Sequence, residues 1–129
     1  MAYYFSTLLN LPFDEAVTRT VAALKEQGFG VLTRIDAKAT LKEKLGVDFR
    51  NYTILGACNP PSAYEALQAE DKIGLMLPCN VIVQDRPAGE GVEVAAIDPV
   101  ASMQAIENPG LATVAERVRS KLKAVIESL

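Results

Sequence analysis

At 129 residues, half of them apolar and 22% charged, the chain has room for one domain with its own core, and its composition excludes disorder. A net charge of −3 gives no general attraction to nucleic acid or an anionic membrane. Histidine is absent, which excludes Ser-His-Asp and Cys-His catalysis within the chain and removes the commonest neutral metal ligand.

Tyr3 to Leu9, rich in aromatic and apolar residues, predicts a first strand. A helix follows from Pro12 or Phe13, with Asp14 and Glu15 at its positive end and Phe13, Val17, Val21 and Leu24 as its buried stripe. Gly28 suits a left-handed exit, after which Phe29 can pack back on Leu24 as in a Schellman ending. Residues 29–35 predict a second strand. Asp36 is placed to cap a short helix over 37–45, with Leu41 and Leu45 inward and Gly46 as its stop. Arg50 to Gly56 predicts a third strand leading into Cys58. Asn59 is then an N-cap, and Pro60 and Pro61 fit the first turn of a helix ending near Ala69.

Ile73 to Val83 is almost continuously apolar and predicts a central strand buried on both faces. Pro78 predicts a kink, bulge or edge exposure within it. Asp85 to Gly91 turns the chain into a strand over Val92 to Ile97. Asp98-Pro99 opens a short helix through Met103 and Ile106. Asn108-Pro109 caps a last helix with Leu111, Val114, Val118, Leu122, Val125 and Leu129 as its apolar stripe. Helices separated among antiparallel strands, with no repeat or linker, predict a single-domain α+β fold with helices on one face of a sheet.

Several chemistries are missing. Neither G-x-x-x-x-G-K nor G-x-G-x-x-G occurs, and no apolar run approaches the roughly 18 residues of a spanning helix. The opening Met-Ala-Tyr-Tyr-Phe-Ser lacks the basic start and long apolar stretch of a secretory signal. The expected compartment is the cytoplasm, with both thiols reduced.

The most informative motifs are two Cys-Asn pairs pressed against proline: Ala57-Cys58-Asn59-Pro60-Pro61 and Leu77-Pro78-Cys79-Asn80-Val81. With Lys44-Leu45-Gly46-Val47, the Ile54-Leu55-Gly56 run before Cys58, the Asp98-Pro99 step and the amphipathic last helix, they resemble domain-of-unknown-function family 302 over essentially the whole chain. The resemblance implies a TATA-binding-protein-like arrangement of strand, helix, four strands and helix, assembled as a dimer. It implies no established activity.

Cys58 stands just outside a helix N-terminus, which favours thiolate, although Pro60 and Pro61 leave few amides there for an anion. It reads equally as a small buried hydrophobe where strand meets helix. Cys79, inside an apolar strand, should be inert through burial. Asn59 and Asn80 read either as a cap and a bulge clip or, beside two thiols, as parts of one shared site.

Tyr52 and Tyr64 flank Cys58 and are candidates to line a pocket. The cations Arg34, Lys38, Lys42, Lys44 and Arg50, diluted by Asp36, Glu43 and Asp48, read mainly as a solvated face. So does the Arg117, Arg119, Lys121 and Lys123 run. Asp98 reads as a cap.

The expectation is a cytoplasmic, homodimeric binding or accessory domain, not a self-contained enzyme. Its ligand site is Cys58, Asn59, Cys79 and Asn80, taking a small sulfur-containing or redox ligand or a thiophilic metal on Cys58 and Cys79. Two thiols cannot complete a structural zinc site, so four would require a second copy. The alternatives are a thiol redox enzyme or sensor, with Cys58 attacking and Cys79 resolving, and a structural protein-interaction module.

Overall fold

The computed structural model describes residues 2–129. Five strands, β1 (Tyr4–Leu9), β2 (Gly30–Asp36), β3 (Tyr52–Cys58), β4 (Cys79–Asp85) and β5 (Val92–Ile97), form one sheet in the order β1-β5-β4-β3-β2. Every neighbouring pair is antiparallel. The helices are α1 (Phe13–Glu26), α2 (Ala37–Leu45), α3 (Pro60–Ala69), α4 (Pro99–Ser102) and α5 (Pro109–Ser128). This is the expected α+β arrangement, strand-helix-four strands-helix, with three short helices added between strands or before the last helix.

Because β1 and β2 are the two edges, α1 must cross the sheet to join them. It does so with Ala16, Val17, Thr20 and Leu24 buried. Its exit is a Schellman ending: the Phe29 N–H donates to the Leu24 carbonyl at 2.9 Å and the Gly28 N–H to the Lys25 carbonyl at 3.0 Å. Gly28 has φ 83°, which a side chain would strain. The long α5 lies beside α1 on the same face and buries Leu111, Val114, Val118, Leu122 and Val125. Against these helices the strands direct alternate residues: Leu55 and Ala57, Val81 and Val83, Val94 and Ala96.

Five expectations are corrected. Ile73–Met76 is a single 3-10 turn, and β4 begins only after Pro78, whose missing N–H cannot join a ladder. Nor is β4 buried on both faces, because helices cover one side only; Asn80, between buried Cys79 and Val81, is exposed. The third strand starts at Tyr52 and runs through Cys58, two residues beyond its predicted frame. On α2 no residue is buried, and Leu45 is 69% exposed, since this helix follows an edge strand with no layer beyond it. The helix after Asp98 also stops at Ser102, short of Ile106.

Candidate functional site

The two cysteines meet at one end of the sheet. Ala57 and Cys79 are directly opposed across β3 and β4, so Cys58 lies one residue past the partner of Cys79. Both sulfur-bearing side chains line one cavity of about 340 Å³. Its walls are apolar: Phe29 at the exit of α1, Ala66 and Leu67 of α3, Pro78 before β4, Met103 after α4 and Val118 of α5. No charged side chain lines it among the described residues. The size falls within the range of small-molecule pockets.

Small residues open this space. Ala57, Ala63 and Ala66 stand where longer side chains would fill it. Gly56 lets Pro78 close one side: a Cβ there would lie 2.7 Å from Pro78 Cγ and would also collide with the Thr33 hydroxyl. Thr33 pairs directly with Gly56 across β2 and β3, just after a register shift in β2.

Asn59 borders the cavity, but its amide is committed to the fold. Its Oδ1 accepts from the Ser62 N–H at 3.2 Å, and its Nδ2 donates to the Gly28 carbonyl at 3.1 Å. Pro60 and Pro61 have no N–H, and the Ser62 and Ala63 amides are taken by the Asn59 side chain and carbonyl. The start of α3 therefore presents no free first-turn amide to an anion.

Cys79 is 8% exposed, and burial pushes its thiol up from the ordinary 9.0 to about 11. A charge on the neighbouring Cys58 adds to that rise. Cys79 is thus a neutral thiol at physiological pH. Cys58 is the more exposed of the two.

Of the four residues expected at the site, Cys58, Asn59 and Cys79 come together and Asn80 does not. Adjacent strand residues point to opposite faces, so Asn80 lies on the helix-free side near Tyr52 and Ile82. Tyr52 shares that side, and Tyr64 is 66% exposed on α3; neither lines the thiol cavity. Among the described residues, no three His, Cys, Asp or Glu side chains cluster as a metal site.

None of the five cations from Arg34 to Arg50 lines the cavity; Lys42 pairs with Asp48 at 3.1 Å. Arg119 is not a free solvent-face cation. It bonds Asp98 at 3.1 Å and lies over the Phe5 ring, while Asp98 also caps α4 through the Val100 N–H. Arg117 pairs with Glu65 of α3.

Most of the cavity wall escaped the sequence reading, Ser62 and Met103 among it. Ser62 was within reach, since it stands four positions before buried Ala66 and shares its helix face. Met103 becomes a wall only when α4 packs on α5.

The fold is therefore a one-sheet α+β domain with a half-open apolar cavity at a strand end, bordered by two free thiols. The chain belongs to the family described as domain of unknown function DUF302, which matches residues 5–129. It is similar to the uncharacterized conserved protein DUF302 from Bacillus stearothermophilus, whose crystal structure matches with a TM-score of 0.90 and 26% identity over 98% of each chain. No curated protein matches the chain.

Proposed function

We propose that this domain binds a small molecule in the cavity bordered by Cys58, Asn59 and Cys79, as an accessory protein and not as a self-contained enzyme. The observation that carries the reading is the convergence of both thiols, from two strands, on one apolar space of about 340 Å³. Without histidine the chain lacks the usual acid–base group, and the cavity walls offer no carboxylate or amine in its place.

A thiophilic metal on Cys58 and Cys79 is the less favoured occupant. Cys79 would have to surrender a proton held to about 11, and no third acidic or thiol donor joins the pair within the described chain. Reduced free thiols fit the cytoplasm, which we retain as the compartment. No helix among the described residues is long and apolar enough to cross a membrane.

Native mass spectrometry of the protein purified under reducing conditions tests the reading. A retained small molecule, lost from the Cys58→Ser/Cys79→Ser variant or from one with a filled cavity, is the expected result. A retained metal ion that needs both thiols would replace this reading with the metal site.

A thiol redox role is the second reading, favoured by the position of Cys58 next to the cross-strand partner of Cys79. Here Cys58 attacks and Cys79 resolves. Mild oxidation with glutathione disulfide should then give an intrachain disulfide in native protein. Stable glutathionylation of Cys58 alone would remove this reading.

A further inference from the structure

Besides the two thiols, Ser62 carries the one hydroxyl among the described residues that line the cavity. The residue is 3% exposed and lines the cavity. Its backbone N–H is used by the Asn59 cap, but its hydroxyl forms no hydrogen bond within the described residues. No fully enclosed side-chain oxygen or nitrogen lacks a partner among those residues, so this hydroxyl must open onto the cavity. A buried hydroxyl without a protein partner costs free energy unless water or a ligand supplies one.

We infer that Ser62 is the polar anchor of the cavity, selecting a neutral, compact, largely apolar ligand that carries one hydrogen-bonding group. This rests on the cavity reading above and narrows it. Neutrality follows from the walls: no cation or anion lines the space, and Asn59 and the first amides of α3 are already engaged. An ionised ligand would be stripped of water with nothing opposite to it. Size follows from volume: an apolar cavity of about 150 Å³ holds benzene, so about twice that suits a bicyclic skeleton.

The probes are therefore 2-naphthol, naphthalene and 2-naphthoate, titrated against the full chain by amide NMR, which reports both affinity and place. We expect 2-naphthol and naphthalene to shift the amides of Ser62, Ala66 and Val118, and 2-naphthoate to bind at least about a hundredfold more weakly than 2-naphthol. Ser62→Ala should lower the naphthol-to-naphthalene affinity ratio about five- to tenfold, the value of one hydrogen bond. Naphthalene affinity should stay unchanged, which shows that the variant is folded, and Ser62→Thr should restore the ratio.

If both neutral probes enter the cavity but Ser62→Ala leaves the ratio unaltered, the anchor is wrong and the cavity reading stands. Tight binding of 2-naphthoate overturns the neutrality. If no probe reaches these amides at millimolar concentration, both the anchor and the cavity reading fall.

Discussion

The Asn59 side-chain amide donates to the Gly28 carbonyl at 3.1 Å, across 31 positions of sequence. One end of the same amide caps α3, and the other holds the exit of α1. The approach is close enough that a Cβ on Gly28 would lie 3.0 Å from Asn59 Nδ2. A single asparagine thus ties together two elements that border the cavity. Its role beside Cys58 is to hold the site's frame, with one N–H given to the Gly28 carbonyl and its oxygen accepting from the Ser62 N–H.

Asn59→Ala should therefore lose both bonds and destabilise by about 2–3 kcal/mol, combining a lost cap with a carbonyl left short of its partner. Asn59→Ser keeps an acceptor for the Ser62 N–H but is too short to reach Gly28, so its loss should be about half as large. Urea unfolding measures both. Equal losses would mean that the Gly28 contact contributes nothing.

Gly56→Ala should destabilise by about 1–3 kcal/mol, because the new methyl meets the Thr33 hydroxyl and Pro78 Cγ. Thr33→Ala removes one of the two collisions and should recover part of the loss. The pair is then non-additive in thermal unfolding, as expected for residues in contact. Strict additivity would contradict the packing.

Local features were the legible ones. Asp36, Asn59 and Asn108 cap their helices with side-chain acceptors, and Gly28 and Gly46 end theirs in left-handed geometry. Each depends on neighbours within about four positions, which sequence spacing can report. The apolar run from Ile73 misled because continuous hydrophobicity does not say how many layers will cover it. Here only one face is covered, so Ile82 is half-buried and Asn80 faces outward. The cavity was invisible for the same reason. Its walls come from α3, α4, α5 and three strands, and alanines at 57, 63 and 66 read as ordinary packing until the elements meet around them.

We propose the outer edge of β1 as the interface of the expected homodimer, paired about a twofold axis. The strand carries no charge, and Tyr3, Tyr4 and Leu8 are exposed beside its unpaired backbone. The opposite edge, β2, carries Arg34 and Asp36. Self-pairing along β1 brings no like charges together and should bury more than about 1,000 Å² in total. Light scattering at micromolar concentration should give twice the 13.9 kDa chain mass. Leu8→Lys, on the exposed face of that edge strand, should shift the population toward monomer. A monomer mass for the unaltered protein would end the dimer proposal.

The two thiols should separate by reactivity and by pH. In native protein at pH 8 a bulky disulfide reagent should modify Cys58 first, while Cys79 reacts slowly, because it is buried and held as a thiol. Cys58→Ser should abolish the fast phase. The raised value at Cys79 also gives a stability signature with a defined sign. Below pH 9 both folded and unfolded chains keep the Cys79 proton, and its contribution is fully present. Between about pH 9 and pH 11 the unfolded chain releases that proton and the folded chain retains it, so stability falls as pH rises. The loss is about 2–3 kcal/mol at most, from a rise of about two pH units. Urea unfolding from pH 8 to pH 11 measures it, with Cys79→Ala as the reference for the groups not coupled to Cys79. The difference between the two proteins should shrink by that amount over the window. A constant difference would show that Cys79 ionises in the folded chain as readily as in the unfolded one.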